Sequence, residues 1–396
     1  MDFRLTEEQQ MIRDAALKFG ARWTDKAESL RQHTLTKGEV PKEYWQEFCE
    51  NGFMGALIPE QYGGSGLGLT AMTLILEAVS SHNLANALMM LTAMDALCIL
   101  KAGPEPLRQR YLPKICAGEI KLAFAITEPD AGSNAFRMRT VARREGDKLI
   151  LNGSKTFITA VDVVERVLVV ARSMRYEELK AQGLPKVYGF NLLLVDPKAP
   201  GFTMQEMPTE GIEGFRQWTL FFDNVEVPLD ELIGQEHQGA MAMFNVLNAE
   251  RTLAAALSLG ESEWLLKRSV EYAKQRVVFG DKPIGAYQAI QHPLAEIRAE
   301  LEAARLVTYK AATLFDQNAN PQQIVPFANM AKLLSGELGI KAADRAIQTH
   351  GGNGFSREFG LIQAWVNARL VRTAPISKEM ILNFIGEHVL GLPRSY

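Results

Sequence analysis

A single carboxylate interrupts an apolar stripe on the helix that the sequence predicts from Ala240 to Gln275. The stripe is formed by four apolar residues at helical spacing, Met243, Leu247, Ala254 and Leu257. Glu250 lies in its middle, where burial would raise the pKa of the carboxyl towards neutral pH. Such a group is suited to accept a proton from a carbon acid. The alternative interpretations are a helix-surface Glu paired with a neighbouring Arg, or a stripe that arises by chance in an Ala-rich segment.

The elements that must position this acid follow the order helix, sheet, helix. The pattern predicts an N-terminal α-helical domain (residues 1–122), a middle β-domain (123–235) and a C-terminal helical domain (236–396). Helical runs are predicted at Thr70–Lys101, Glu105–Cys116, Ala240–Gln275, Ala286–Phe315, Pro321–Thr349 and Ser377–Val389. Short antiparallel strands are predicted at Thr140–Arg144, Lys148–Asn152, Arg166–Arg172, Tyr188–Val195 and Trp218–Val227. The polar segment Ser173–Lys186 is predicted to be a solvated loop.

Composition excludes several classes of protein. The 396 residues carry 43 basic and 46 acidic side chains in a mixed distribution, which argues against a nucleic-acid partner. Three dispersed cysteines and six scattered histidines have neither disulfide nor zinc-ligand spacing, so no metal site is expected. The N-terminal residues do not have the pattern of a secretory signal, and no apolar run is long enough to span a bilayer. We therefore expect a cytoplasmic protein with no membrane span.

A series of segments, in order and over nearly the whole chain, resembles the acyl-CoA dehydrogenase family. The segments are LTEEQ, IPEQYGGSGLG, RYLPKICAGE leading into FAITEPDAGS, LNGSKTFIT, FFDNVEVP followed by IGQEHQG, NAER, QRVVFG, YQAIQ and QTHGGNGF. The resemblance implies an α+β fold of three parts, with an N-terminal helical domain, a middle β-barrel and a C-terminal four-helix bundle. It also implies FAD as the cofactor and a homotetramer, or a dimer, as the assembly.

The resemblance assigns two groups of residues to FAD. The first lies in the middle domain, where Phe157 takes the position of a flat wall against the flavin and Thr159 that of a donor to its N5. The other members of this group are Phe124, Ile126, Thr127, Gly132 and Ser133. The second group, assigned to the phosphates and adenine across a subunit boundary, is Arg276, Phe279, Gln288, Gln348, Gly351 and Gly352. Ser377 is also assigned to the cofactor. Taken singly, each residue has a structural alternative, such as a turn, a strand or a solvated helix end.

The family carries its catalytic Glu at one of two places, and the sequence discriminates between them. At the first, the start of the last long helix, Pro375 stands where many members have Glu. The second, on the first helix of the C-terminal domain just before an Arg, holds Glu250 and Arg251. Glu379 is the acid nearest to Pro375, and it is interpreted as a surface charge. Substrate contacts are assigned by resemblance to Ser133, Asn248 and Arg251, although Asn248 replaces a frequent Asp.

The activity implied is α,β-desaturation of an acyl-CoA thioester to the trans-2-enoyl-CoA, with electrons leaving through electron transfer flavoprotein. In the family a backbone N–H at the position of Pro375 polarises the thioester carbonyl, and proline has no N–H, so the donor here is open. Three alternatives remain at this stage. They are an oxidase or monooxygenase of the same fold, a relative with a binding or regulatory role, and a helical scaffold without cofactor.

Overall fold

The computed structural model describes residues 4–210 and 214–395. In chain order the helices are α1 (Glu7–Trp23), α2 (Ala27–Lys37), α3 (Lys42–Glu50), α4 (Gly68–Ser80), α5 (Ala87–Ala102), α6 (Glu105–Cys116), α7 (Tyr176–Ala181), α8 (Gly239–Gln275), α9 (Gln288–Asp316), α10 (Pro321–His350), α11 (Leu361–Thr373) and α12 (Lys378–Phe384). The strands are β1 (Leu122–Ala125), β2 (Val141–Glu145), β3 (Lys148–Thr159), β4 (Arg166–Arg172), β5 (Phe190–Val195), β6 (Phe202–Met207), β7 (Gln217–Pro228) and β8 (Leu232–Ile233).

These elements form two compact units. The helical unit comprises residues 1–27, 69–86 and 248–396, and the sheet unit comprises residues 28–68 and 87–247. The boundary at Asn248 falls within α8, so that the greater part of this helix belongs to the helical unit.

The core of the helical unit is shared by α8, α9, α10 and α11. Its buried side chains include Leu259, Leu301, Leu338 and Leu361, one from each of these helices. Alternation of apolar and polar residues at helical spacing explains this packing, because each helix presents one apolar face to the others. The predicted C-terminal helical domain is therefore confirmed.

Helix α4 is anchored within the same unit by polar contacts. The Asp316 carboxylate accepts hydrogen bonds from the backbone N–H groups of Leu69 and Thr70, at 2.6 and 2.8 Å, and so caps the first turn of α4. Gly260 allows α8 to approach α4 closely, since a Cβ at this position would lie 2.3 Å from the carbonyl oxygen of Glu77. No residue other than glycine fits there without displacing a helix.

The sheet unit contains one eight-stranded sheet with the order β6-β7-β3-β2-β4-β5-β8, and β1 pairs with β4. Most pairs are antiparallel, as predicted. The prediction of antiparallel strands was wrong for two pairs. Strand β1 runs parallel to β4 with Leu122 opposite Arg166, and β2 pairs in parallel with β4 at Val141 and Arg172. Strand β3 pairs with both β2 and β7, and its register with β7 shifts between Lys155 and Ile158.

Several predicted elements differ from the structure. The single helical run at Thr70–Lys101 is wrong, because α4 ends at Ser80 and Asn83 adopts a left-handed conformation with φ 58° before α5 begins. The predicted loop at Ser173–Lys186 contains α7, where the Glu178 side chain accepts a hydrogen bond from the backbone N–H of Arg175. Strands β1, β6 and β8 and helix α11 were not predicted.

Across residues 4–210 and 214–395, no helix has both the length and the apolar character needed to cross a membrane. The three-part order of helices, sheet and helices is confirmed. The domain boundaries at residues 122 and 235 stay predictions.

Candidate active site

Glu250 is buried on α8, with 6% of its surface exposed. Burial raises the pKa of its carboxyl to about 7, although the positive charges of Arg251 and Lys332 pull the pKa down. The carboxyl is therefore divided between its neutral and ionised forms near neutral pH. A group in this state can take a proton from a substrate and later release it.

Arg251, the next residue on α8, is held by a neighbour on its own helix. Its Nη1 atom donates a 2.7 Å hydrogen bond to the side-chain oxygen of Asn248. Burial lowers the pKa of the guanidinium, while the Glu250 carboxylate raises it. An Arg side chain stays protonated at any physiological pH, so Arg251 provides a permanent positive charge beside the acid.

Lys332 of α10 supplies the second positive charge near Glu250, and sequence reasoning missed it. This side chain is buried, and its ammonium donates hydrogen bonds to the backbone carbonyls of Arg372, at 3.2 Å, and Ile376. Burial together with the Arg251 charge lowers the pKa of the ammonium to about 8, although nearby carboxylates oppose this shift. The signal in the sequence was the same as for Glu250, because Lys332 interrupts the apolar face of its helix.

The other candidate position for the base has no acid that matches Glu250. Pro375 occupies it, and Glu379 lies one turn further along, exposed in the first turn of α12. Hydrogen bonds from its own backbone N–H and from the Ser377 side chain lower the pKa of Glu379, so it remains ionised at neutral pH. Ser377 is the N-cap of α12, and its Oγ accepts a hydrogen bond from the N–H of Met380.

In the sheet unit, the loop after β1 and strand β3 bring several predicted residues together. The backbone N–H of Thr156 donates to the carbonyl of Thr127 at 2.9 Å, and the buried Lys155 ammonium donates to the carbonyl of Ile126, also at 2.9 Å. Phe124 lies on β1, two residues before Ile126. Thr127 is thus held beside the segment that carries Phe157 and Thr159.

Lys155 of β3 and Glu128 of the loop after β1 form a buried ion pair. Lys155 Nζ lies 2.8 Å from Glu128 Oε1, and the same carboxylate accepts the backbone N–H groups of Arg139 and Thr140. Burial alone would raise the pKa of Glu128, but the Lys155 charge and these donors hold it below its usual range. Sequence reasoning missed this pair. Strand alternation was an available signal, because Lys155 continues the inward-facing set of Leu149 and Leu151.

Phe157 projects out of the sheet at the shift of register between β3 and β7. Its φ is +56°, a conformation that is strained for an aromatic residue, and 60% of its surface is exposed. An exposed aromatic ring on a strained bulge is suited to a planar ligand. Thr159, two residues later, donates its hydroxyl to the Gln217 side chain at 3.0 Å, so this hydrogen is already engaged within the sheet.

Gly132 and Ser133 are both exposed in the loop that follows Glu128. A Cβ added at Gly132 would meet no atom within 4 Å, so the protein itself leaves this backbone open to a ligand. The exposed hydroxyl and backbone of this loop are polar groups of the kind that bind a phosphate or a ribose oxygen.

The second predicted group lies at the end of the helical unit where α8 and α10 finish. The Asn353 side chain donates to the Tyr272 hydroxyl at 3.1 Å, and the rings of Tyr272 and His350 are 4.3 Å apart. These contacts bring the end of α8, with Arg276, to the end of α10. The predicted residues, which are all exposed, are Arg276, Phe279, Gln288, Gln348, Gly351 and Gly352. Sequence reasoning missed Tyr272 and Asn353, which hold the two helix ends together.

Each unit, taken by itself, carries residues whose chemistry fits a part of FAD. Phe157 offers an aromatic face, the loop after β1 offers hydroxyl and amide groups, and Arg276 offers a guanidinium that can bind a diphosphate with two parallel hydrogen bonds. Gly351 and Gly352 have no atom within 4 Å of an added Cβ, so their backbone is open to solvent.

Family models match most of the chain. They are the acyl-CoA dehydrogenase N-terminal domain at residues 6–119, the middle domain at residues 123–225 and the C-terminal domain at residues 237–390. The chain belongs to the acyl-CoA dehydrogenase family. This family comprises FAD-dependent oxidoreductases, so the resemblance found in the sequence is confirmed.

Relatives and solved structures agree with the assignment to the acyl-CoA dehydrogenase family. Acyl-CoA dehydrogenase FadE12 of Mycobacterium tuberculosis (strain ATCC 25618 / H37Rv) is 40% identical over 394 residues, which cover 99% of this chain and 98% of that protein. Butyryl-CoA dehydrogenase of Megasphaera elsdenii has a TM-score of 0.88 at 29% identity, covering 98% of this chain and 100% of its own. The FAD complex of PigA has the same TM-score at 26% identity, covering 99% of this chain and 100% of its own.

Proposed function

We propose that this member of the acyl-CoA dehydrogenase family desaturates an acyl-CoA thioester between its α and β carbons, with Glu250 as the base that removes the α-proton. The observation that carries the proposal is the state of Glu250. It is a buried acid whose pKa is raised to about 7 by burial, and it precedes a fixed Arg. The alternative position for the base, at Pro375, has no proton acceptor.

The residues around Glu250 support a proton transfer from carbon. The neutral and ionised forms of the carboxyl are close in free energy, because its pKa lies near the working pH. Arg251 and Lys332 add positive charge on the same unit, which opposes the cost of keeping a carboxylate in a buried place. Arg251 is also the group we assign to the thioester and its CoA portion.

We assign the cofactor site to the exposed groups of the sheet unit, with Phe157 against the flavin face and Thr127 and Ser133 as polar contacts. Asn248 is retained as a substrate contact, although its side-chain oxygen is engaged by Arg251. FAD, when bound, supplies the acceptor for the hydride that leaves the β-carbon, so that loss of a proton and a hydride yields the double bond. Electron transfer flavoprotein is the proposed acceptor of the electrons.

A second copy of the chain is proposed to contribute the group at the ends of α8 and α10. Phe279 is 81% exposed, and Arg276 and Gln348 are exposed on the same end of the helical unit. Exposure of a large aromatic residue beside an Arg is typical of a surface that binds a ligand or a partner. The homotetramer implied by the resemblance stays a prediction, which sedimentation of the flavin-loaded protein tests.

The decisive experiment is an anaerobic titration of the purified flavoprotein with a panel of acyl-CoAs, followed by the flavin absorbance. Glu250→Gln should retain the flavin and lose its reduction by every acyl-CoA, because an amide cannot accept the α-proton. Removal of a catalytic base typically lowers the rate by ~10²–10⁴-fold. Reduction of this variant at the wild-type rate would disprove the assignment of the base.

Glu261→Gln is the matched control. Glu261 lies on the same helix, is buried, and has a pKa that burial raises to about 8. Its replacement removes a comparable buried acid eleven positions away from Glu250, and we expect reduction to proceed. Glu379→Gln tests the rival base and should also be reduced. A yellow protein that no acyl-CoA reduces would instead favour a binding role or an oxidase of a different kind of substrate.

A further inference from the structure

The buried side chain of Lys332 binds the connection between α11 and α12. Lys332 on α10 is 1% exposed, and its ammonium donates to the carbonyls of Arg372, in the last turn of α11, and Ile376, just before α12. An ammonium carries three N–H groups, so two of the three are used on this connection. A cation at the carboxyl end of a helix also stabilises the helix dipole, which adds to the hold on α11.

Glu337, five residues further along α10, binds the side chains of the same connection. Its carboxylate lies 2.6 Å from Arg372 Nε and 2.9 Å from Lys378 Nζ. Lys332 therefore holds the backbone of residues 372–376, and Glu337 holds charged side chains on both sides of it. Helix α10 determines where this connection lies within the helical unit.

The charge of Lys332 also acts on the acid that we assign as the base. The charged groups that act on Glu250 are Arg251 on its own helix and Lys332 on α10. The groups that act on Lys332 are Arg251, Glu250, Glu337 and Glu379, from α8, α10 and α12. Arg251 donates its hydrogen bond to the Asn248 side chain, whereas the Lys332 ammonium donates to the α11–α12 connection.

We propose that Lys332 is a positioning residue for the reaction: it fixes the α11–α12 connection by its two carbonyl contacts, and the positive charge held there favours the carboxylate form of Glu250. The second part rests on the proposed function of Glu250, whereas the first does not. No proton transfer to or from the substrate is assigned to Lys332.

The test is Lys332→Met in the flavin-loaded full chain, with two readouts. Methionine keeps most of the length and removes both the charge and the donors. Amide hydrogen exchange in residues 372–381 should become faster by ~10-fold or more, because the carbonyls that anchor this segment lose their donor. The rate of flavin reduction should reach half its maximum at a higher pH than in the wild type, so that reduction at neutral pH slows by ~3–10-fold.

The control is Lys341→Met, on the same helix. Lys341 is partly exposed and pairs with Glu296 and Glu300 of α9, so its loss should leave both readouts at their wild-type values. Lys332→Arg retains the positive charge and should keep the pH profile near that of the wild type. If Lys332→Met does not fold, Lys332→Gln, which keeps an N–H donor and removes the charge, is measured in its place.

The outcomes separate this inference from the proposed function. Unchanged exchange and an unchanged pH profile in Lys332→Met would overturn the role of Lys332, even if Glu250→Gln were inactive as expected. An exchange effect without a shift in the pH profile would overturn the electrostatic part. If Glu250→Gln were reduced normally, the proposed function would fail, and exchange in Lys332→Met would still decide the structural part.

Discussion

The ammonium of Lys155 lies 2.8 Å from Glu128 inside the sheet unit, and this buried ion pair joins the loop after β1 to strand β3. Both the loop and the strand carry residues assigned to the flavin. Lys155 also donates to the carbonyl of Ile126, so that the pair holds the backbone as well as the side chain of the loop. Burial lowers the pKa of Lys155 to about 8, although the Glu128 carboxylate raises it. Each buried charge offsets the cost of removing the other from water.

Replacement of Lys155 by Met should leave the Glu128 carboxylate buried without its cation. We expect a loss of ~3–5 kcal/mol in the free energy of unfolding, measured by urea denaturation, together with weaker FAD binding. Lys148→Met is the control, because Lys148 is on the same strand and pairs with Glu226 at the surface. That variant should remain close to the wild type, since a solvated pair contributes little. Equal effects of the two replacements would contradict the role given to the buried pair.

Phe157 and Phe222 allow a comparison between an exposed and a buried ring of the same sheet. Phe157 is on the outward bulge, whereas Phe222 is buried and packs edge to face against Phe202 with ring centroids 5.2 Å apart. Phe222→Ala should lower the free energy of unfolding by ~3–5 kcal/mol. Phe157→Ala should change the free energy of unfolding of the apoprotein by less than ~0.5 kcal/mol. The same replacement should weaken FAD binding by ~3–10-fold. Normal FAD affinity in Phe157→Ala would remove this ring from the cofactor site.

The pH dependence of flavin reduction follows from the state of Glu250. Burial raises its pKa to about 7, so the carboxyl is neutral below that pH and cannot accept a proton. The second-order rate constant for reduction at low acyl-CoA should rise with pH and level off above about pH 7, since this parameter reports the free enzyme. Stopped-flow measurement under anaerobic conditions gives the profile. A rate that falls, or stays constant, from about pH 5 to about pH 8 would argue against Glu250 as the base.

Much of this arrangement could be predicted from the sequence, and the limits have physical causes. Helical periodicity indicated that Glu250 interrupts the buried face of its helix, because it reports that face without knowledge of its partners, and the family resemblance then assigned the base. The same periodicity marks Lys332, but its contacts with carbonyls 40 or more residues away depend on tertiary packing that periodicity does not contain.

The flavin-side residues show the same limit. Motifs placed Phe157 in the site, yet its positive φ arises from the shift of register between β3 and β7. The break between α4 and α5 was missed because apolar residues continue on both sides of residues 81–86, the connecting segment in which Asn83 adopts a left-handed conformation. Strand register depends on the pairing of strands, and turn geometry depends on local backbone conformation. The amino-acid composition of a short sequence segment reports neither of them.

Glu261 provides a stability test that does not involve the reaction. It is buried on α8. Among residues 4–210 and 214–395, the Asn367 side chain donates a hydrogen bond of 3.5 Å to its carboxyl. Burial raises its pKa to about 8, so the folded protein holds a proton there that the unfolded chain releases above its ordinary pKa. Stability contributed by this proton is complete at acidic pH and declines as pH rises to about 8.

Glu261→Gln should remove that decline, because an amide has no proton to lose and keeps the size of the side chain. We expect the variant to resemble the wild type near pH 4.5 and to exceed it by roughly 2–4 kcal/mol in the free energy of unfolding above about pH 8. Urea denaturation at both pH values measures the difference, with Glu379→Gln as a control in which the replaced acid is exposed. If the gain of Glu261→Gln were the same at both pH values, its carboxyl would not be the group that titrates.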